Sequence, residues 1–206
     1  MVRFTAEDKA RITAAIHAAE RRTSGEFVAV VARASDHYVL LPLLWAAIVA
    51  LFFPGACLLA GARLPWVLIY QIQLIIFLLV GVLFLAVPEL HMLLVPARVK
   101  HARASRLARA QFYEQGVHLT PHHSGVLFFV SLAEHHVEIV ADKGIHEKLG
   151  EAHWRGIIDT FVERVHAGRI VDGFVDAIDA CGAAMARHYP PDPSDTNTLS
   201  DGLVEI

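Results

Sequence analysis

Thirteen histidines in a chain of 206 residues are the side chains best suited to bind metal ions or move protons near neutral pH. Two groups of them lie next to or within a segment with the pattern of a β-hairpin. His118, His122 and His123 precede this segment, and His135 and His136 lie at its tip. A strand of about eight residues separates the two groups by on the order of 25 Å, which is too far for one metal site. They are therefore separate candidates.

Asp142 is the acidic residue that the returning strand brings back towards the first group. A hairpin centred on Glu134 places residue 126 opposite Asp142, close to His122 and His123. One carboxylate and two imidazoles are a suitable ligand set for a divalent cation, the one cofactor that the sequence indicates. Asp142, His122 and His123 are therefore a candidate metal site, in which Asp142 and His123 would also serve as general acid and base. Solvated loop side chains are the simpler interpretation, and we prefer it.

Cys181 and Arg187 have the Cys-x5-Arg spacing with which protein tyrosine phosphatases surround a phosphate. That chemistry needs a loop whose backbone amides face the phosphate. Cys181 instead continues the helical apolar spacing of Phe174, Ile178 and Met185, and the amides of a helix are already bonded. We therefore interpret the match as accidental.

Asp172, Asp176 and Asp179 recur at i, i+4 and i+7, so they share one face of this helix. Clusters of carboxylate oxygens are ligands that Ca²⁺ favours. A solvated face opposite Phe174 and Ile178 has the same pattern, and we prefer that simpler interpretation.

One predicted strand has no neighbour nearby in the chain. A capping box from Thr5 to Asp8 begins a helix that ends near Arg22, and residues 26–33 then have the β-branched and aromatic content of a strand. A lone strand is unstable in water. We expect it to pair with the hairpin at residues 125–142, some ninety residues further along, with two helices after the hairpin closing the domain.

The segment between these strands is strongly apolar. No Asp, Glu, Lys or Arg occurs from Tyr38 to Ala62 or from Leu64 to Pro88. Each stretch, about 25 residues long, can cross the hydrocarbon core of a bilayer. A helical hairpin buried in a soluble core is the alternative, but such helices seldom need about 18 consecutive apolar residues. With 55% hydrophobic and 19% charged residues, the composition also favours a membrane protein.

The positive residues predict the orientation. Arg63 is the basic residue between the two stretches, whereas several precede the first and follow the second. Under the positive-inside rule both termini are cytoplasmic. We expect the helix at residues 97–115 to lie against the bilayer's anionic headgroups rather than on nucleic acid. Its basic side chains are Arg98, Lys100, Arg103, Arg106 and Arg109.

The predicted fold is of the α/β class: a small mixed β-sheet flanked by helices and interrupted by a two-helix transmembrane hairpin. Residues 1–37 and 98–190 form the cytoplasmic α/β domain, and residues 38–97 form the hairpin. The polar and acidic residues 191–206 are expected to be a flexible tail.

The segments TSGEFVAVV and SGVLFFVSLAEHHVEIVADKGI, followed by the two closing helices, resemble the TPM domain family. The resemblance extends over roughly residues 5–190, in a branch of small bacterial membrane proteins. It implies an α/β sandwich around a small mixed sheet, and it brings a phosphatase assignment without established catalytic residues. Better-known members expose the domain on the non-cytoplasmic side behind a signal peptide, which differs from the orientation predicted here.

Two functions are compatible with these patterns. The first is a non-catalytic interaction or scaffold module at the membrane, for a protein partner that the sequence does not identify. The second is a metal-assisted phosphoester hydrolase of the phosphatase type, using Asp142 with His122 or His123. We favour the first. A cleft in which the three side chains converge would support the hydrolase, whereas an Asp142 that caps the next turn would remove its main motive.

Overall fold

The structure is a computed structural model, and it describes residues 4–36, 38, 40–87, 92, 95–120, 123–149, 151–191 and 199–206. The chain divides into two compact units. We call Met1–Ser35 together with His101–Ile206 the sheet unit, and Asp36–Lys100 the hairpin unit. The apolar segment is thus an insertion between two parts of one α/β unit.

The described residues form seven helices, four strands and one short 3-10 helix. In the hairpin unit, α2 spans Leu40–Leu59 and α3 spans Trp66–Ala86. Helix α4, Ala97–Glu114, begins in the hairpin unit and continues into the sheet unit. The other elements are α1 Ala6–Glu20, β1 Glu26–Ala32, the 3-10 helix Val117–Leu119, β2 Gly125–Ser131, β3 His136–Ala141, α5 Lys143–Leu149, α6 Glu151–His166, α7 Ile170–Met185 and β4 Val204–Glu205.

The four strands form one mixed sheet in the order β3-β2-β1-β4. As predicted, β1 pairs with the hairpin: it runs parallel to β2, with Glu26 opposite Gly125. Strands β2 and β3 are antiparallel. Every residue of β1 and of β2 is buried, as expected for central strands that are covered on both faces.

Helices cover the sheet on its two faces. On one face, Phe27 and Phe128 pack into a core with α1, α6 and α7. On the other, Val28, Leu127 and Phe129 pack against α4. The α4 residues in this second core are Ala104, Ala108 and Phe112, with Leu107 partly buried beside them. The predicted α/β class with a small mixed sheet and flanking helices is therefore correct.

Helix α1 begins where the capping box predicts. The Thr5 side chain accepts a hydrogen bond from the Asp8 backbone N–H at 3.1 Å, and the Asp8 carboxylate accepts one from the Thr5 N–H at 2.9 Å. These bonds lower the pKa of Asp8 because they favour its ionised form. Two of the backbone donors left open at a helix start are thereby satisfied.

The hairpin register differs from the prediction by one residue. Its turn contains four residues, 132–135, so Val126 lies opposite Ala141 and not opposite Asp142. The prediction assumed a three-residue turn centred on Glu134. Asp142 nevertheless stays at the end of the sheet, because its backbone N–H donates to the Gly125 carbonyl at 3.0 Å.

Two further elements correct the sequence-based assignment. The sequence predicts two helices after the hairpin, whereas the structure has a further short helix, α5, that begins at Lys143. The tail was expected to be flexible, yet its end forms β4, in which Val204 pairs with Val30 and Glu205 with Val31. Residues 192–198 of the tail lie outside the described residues. The last residues therefore belong to the sheet.

In the hairpin unit, the two apolar helices pack mainly against each other. Their most apolar windows have mean hydropathies of 2.1 and 2.6, but only 17% and 11% of these windows are buried. Leu51, Phe52 and Leu79 are among the large side chains that remain mostly exposed. A hairpin buried in a soluble core would have its apolar side chains covered. The structure therefore contains two helices suited to crossing a membrane.

Candidate functional site

The edge at which β1 and β2 both begin holds the side chains that the sequence singled out. Strand β1 follows Ser24-Gly25, and β2 begins within the similar segment Ser124-Gly125. The Ser124 hydroxyl donates to the Ser24 carbonyl at 3.1 Å, and the Glu26 N–H donates to the Ser124 carbonyl at 3.3 Å. This edge is therefore held together by bonds between the two strand starts.

Asp142 and His123 meet at this edge. The His123 Nδ1 atom lies 3.2 Å from Asp142 Oδ2, so one of the predicted contacts is present. The two side chains differ in environment: His123 is 71% exposed and Asp142 is 12% exposed. His123 also has a φ of 53°, in the left-handed region, which costs a non-glycine residue on the order of 1 kcal/mol. The pair could bind one cation weakly or transfer a proton.

Asp142 has a second role at the start of α5. Its Oδ1 atom accepts a hydrogen bond from the Lys143 N–H at 2.6 Å, and its carbonyl accepts one from the Ile145 N–H at 3.1 Å. The carboxylate thus caps the turn that follows it, which satisfies an open backbone donor. His122, the third member of the predicted metal site, lies outside the described residues. The three-ligand site therefore stays a prediction.

Cys181 is fully buried inside α7, where its thiol donates to Met185 Sδ at 3.7 Å. Burial raises the pKa of this thiol, because a thiolate would lose its hydration there. A phosphatase nucleophile needs the opposite shift. The geometry agrees with the interpretation that the spacing to Arg187 is accidental.

The three aspartates of the acidic stripe each pair with an arginine. Asp172 Oδ1 accepts from Arg11 Nη2 at 2.7 Å, and this bond raises the pKa of Arg11. Asp179 Oδ1 lies 2.7 Å from Nη2 of Arg22. Asp176 Oδ2 lies 3.1 Å from Nε of Arg164. The stripe therefore links α7 to α1 and α6 instead of grouping its oxygens around one cation.

The basic helix α4 uses its apolar side within the protein. Ala104, Ala108 and Phe112 cover the sheet, so this side is not available to insert into a bilayer. Of the five basic residues, Arg98, Arg106 and Arg109 are exposed, and Lys100 and Arg103 are partly buried. The interaction of these side chains with lipid headgroups stays a prediction.

Comparison with known proteins finds a match to one family model. The family model described as the TPM domain matches residues 86–184, which include β2, β3, Asp142 and most of α7. The chain contains a TPM domain. In the structure, this domain completes its sheet with β1 and its core with α1, both of which precede the matched residues.

A solved structure has the same fold as the TPM domain protein described here. The NMR structure of the BA42 protein from the psychrophilic bacterium Bizionia argentinensis superposes with a TM-score of 0.62. The alignment covers 98% of this chain and 95% of that chain, at 18% sequence identity. At this identity the likeness concerns the fold alone. No curated protein matches the sequence.

The sheet unit also contains a three-residue cluster that the sequence did not indicate. Among the described residues, His17, Glu20 and Asp201 offer ligand atoms that all lie within 4.8 Å of one another. His17 Nδ1 lies 2.9 Å from Asp201 Oδ2, and Glu20 accepts a hydrogen bond from the Phe27 N–H at 3.3 Å. The cluster joins α1 to the tail just before β4. Because Asp201 is far from α1 in sequence, no local pattern could have shown it.

A second missed feature is the buried carboxylate of Glu134, in the hairpin turn. Its Oε1 atom accepts from the Ser35 N–H at 2.9 Å, and its Oε2 atom accepts from the Ser131 hydroxyl. Glu134 is 5% exposed, so these bonds compensate for much of its lost hydration. The bond from Ser35 connects the residues that follow β1 to the turn between β2 and β3.

Proposed function

We propose that the protein is an integral membrane protein of the bacterial inner membrane, anchored by its hairpin unit and acting through a cytoplasmic TPM domain as an interaction or scaffold module. The observation that carries the anchoring is the exposure of α2 and α3, of whose most apolar windows only 17% and 11% are buried. Leaving this much apolar surface in water would cost roughly 25 cal/mol per Å². A bilayer removes that cost.

The basic residues support the orientation. Arg63 is the basic residue of the loop between the spans, and a larger number of Lys and Arg residues lies on the two flanks. Short loops rich in these residues stay in the cytoplasm. The sheet unit, which joins both flanks, is then cytoplasmic.

Labelling with a membrane-impermeant maleimide tests the anchoring and the orientation. In a Cys57→Ser background, we would compare Arg63→Cys with Asp159→Cys, which lies on the exposed side of α6. Native Cys181 is buried and is a constant background. In intact spheroplasts we expect labelling of the Arg63→Cys variant, and of the Asp159→Cys variant only after lysis. The reverse pattern would contradict the orientation, and release of the protein by carbonate would contradict the anchoring.

Several polar residues that suggested catalysis have structural roles, which favours the interaction module. Asp142 caps α5, Cys181 is packed in α7, and the aspartates of the acidic stripe pair with arginines. Tyr113 and Leu119, near the end of α4, are 64% and 74% exposed and offer apolar surface to a protein partner. Crosslinking in native membranes should give a defined adduct that the Tyr113→Ser/Leu119→Ser variant loses. An unchanged adduct would place the partner elsewhere.

A phosphoester hydrolase is the second candidate, because His123 and Asp142 are in contact at 3.2 Å. We would measure hydrolysis of a generic phosphomonoester by detergent-purified protein, with and without divalent metal ions. Asp142→Asn keeps the cap acceptor but removes the charge, and His123→Gln removes the imidazole. Metal-dependent turnover that both substitutions abolish would establish the hydrolase. Absence of turnover in the wild type would leave the interaction module.

A further inference from the structure

A pair of histidines meets far from the Asp142 edge, at the other end of the hairpin. His101 is the first residue of the sheet unit after the hairpin unit, and His136 begins β3. Their Nδ1 atoms lie 3.1 Å apart. The rings approach edge to face, with centroids 5.3 Å apart. The contact therefore joins helix α4 to an edge strand through two nitrogen atoms that can both act as ligands.

Glu138 determines which nitrogen of His136 is available. The His136 Nε2 atom lies 2.9 Å from Glu138 Oε2, and a carboxylate can only accept, so Nε2 carries the proton. The other oxygen, Glu138 Oε1, accepts from the Ser105 hydroxyl at 3.1 Å. In its neutral form, His136 then presents the lone pair of Nδ1 towards His101. The His136 ring is thus held in place by Glu138, which in turn is held by Ser105.

We propose that His101 and His136 bind a divalent transition metal ion of the zinc type through their Nδ1 atoms. With Zn–N bonds of 2.0–2.1 Å and tetrahedral angles, two nitrogen ligands lie about 3.3 Å apart, close to the observed 3.1 Å. Imidazole is a preferred ligand of zinc, copper and nickel. A histidine that donates its second N–H to a carboxylate is the usual arrangement at such metals. The remaining coordination positions are open to water or to a ligand from a partner.

The environment of the pair permits binding. His101 is exposed, which gives the ion a path from solvent, while His136 and Glu138 side chains are 14% and 24% exposed and hence well ordered by packing. In the competing arrangement no metal binds, and the two imidazoles share an N–H···N hydrogen bond. The test must distinguish this arrangement from metal binding.

Zinc titration of the detergent-purified full-length protein, followed by calorimetry, tests the proposal. The other histidines give a background, so the result is a difference between variants. We expect His101→Gln and His136→Gln each to lose one equivalent of bound zinc. Glu138→Gln should keep the site but weaken it about tenfold or more, because it removes the carboxylate behind His136. His166→Gln, an exposed histidine of α6, is the matched control and should bind as the wild type does.

His101→Gln carries the test, because His101 is exposed and its replacement leaves the core intact. His136 is more buried, and circular dichroism checks that its variant is folded. Nitrogen-15 NMR of the histidine side chains gives a second readout: zinc should move the Nδ1 signals of both residues, and not those of His166. An isotherm for His101→Gln that equals the wild-type isotherm would overturn the proposal and assign the contact to a hydrogen bond alone.

Discussion

At the residue scale, the TPM domain depends on positions where no side chain can be added. A Cβ atom at Gly125 would lie 2.4 Å from the carbonyl oxygen of Val117. That neighbour is backbone and cannot rotate away. Gly125 begins β2, pairs with Glu26 and accepts the Asp142 N–H, so its environment also sets the geometry of the candidate site.

We predict that Gly125→Ala destabilises the sheet unit by about 2 to 4 kcal/mol, because the strand start must shift to relieve the clash. Urea unfolding followed through Trp154 fluorescence, in a Trp45→Phe/Trp66→Phe background, measures the change. Gly156→Ala is the matched control, since its added Cβ has no atom within 4 Å apart from its chain neighbours and the nearby backbone of its own helix. In the helix α6, alanine should be neutral or stabilise by up to about 1 kcal/mol. Equal effects of the two substitutions would refute the steric argument.

The buried thiol of Cys181 predicts a pH dependence. Its pKa is raised by burial above the ordinary value of 9.0, so the unfolded chain releases this proton at a pH where the folded protein keeps it. The stability that this difference in pKa affects is fully present below pH 9. As the pH rises further, the free energy of unfolding falls by up to about 1.4 kcal/mol per pH unit. Cys181→Ala should lack this loss, whatever its stability at neutral pH. Parallel pH profiles for both proteins would contradict the prediction.

At the element scale, β4 covers the side of β1 that faces away from β2. It pairs with β1, the Ile206 N–H donates to the Val31 carbonyl at 3.0 Å, and the Arg33 N–H donates to the Ile206 carbonyl at 2.9 Å. Without it, β1 would be an edge strand with open hydrogen-bonding groups. Open edges of apolar strands invite pairing with other chains.

We expect a truncation that removes residues 203–206 to cost about 1 to 3 kcal/mol and to promote aggregation. Hydrogen exchange at the Arg33 amide should become much faster, because its acceptor is gone. Glu205→Ala is the control: it removes the 2.5 Å ion pair with Lys9 but keeps the strand, so the change should stay below about 1 kcal/mol. Unchanged exchange at Arg33 in the truncated protein would show that pairing with the chain end does not protect this amide.

The elements show which parts of the fold a sequence can reveal. The capping box of α1 and the apolar runs of α2 and α3 are local patterns, and the β1–β2 pairing followed because a lone strand needs a partner. Helix α5 was missed because Lys143-Gly144 resembles a turn, and β4 because two residues are too short for a periodic pattern. The one-residue register error came from the turn length.

The contacts between candidate site residues also differ in whether the sequence can reveal them. The approach of Asp142 to His123 follows from hairpin pairing and could be predicted. The contact between His101 and His136 could not, because the two residues are 35 positions apart and belong to a helix and a strand whose packing is tertiary. The same holds for His17 and Asp201. Side chains that meet through packing leave no spacing in the sequence.

At the scale of the whole molecule, the chain enters and leaves the hairpin unit from one folded unit. The two parts of the sheet unit hold each other through seven paired positions between β1 and β2 and through the packing of α1 against α7. The covalent connection through the loop at residues 60–65 is therefore not needed to keep these parts together.

We predict that residues 1–62 and 63–206, coexpressed as separate chains, copurify from detergent through a tag on one of them. The association should survive because the pairing surface of β1 is fully buried. Val28→Asp in the short chain places a charge in that buried surface and should reduce recovery more than tenfold. Equal recovery with and without Val28→Asp would mean that the apolar helices alone hold the chains together.

The parallel pairing of β1 with β2 also sets an order of events during synthesis. Strand β1 leaves the ribosome first, and its partner follows about 100 residues later, which at roughly 5–20 residues per second means a wait of about 5 to 20 seconds. During this interval α2 and α3 are synthesised, while the strand FVAVVA remains without its partner. Yield in a recombinant host should therefore depend on chaperones that protect nascent chains, and on the speed of translation between the two strands, more than on the stability of the finished fold.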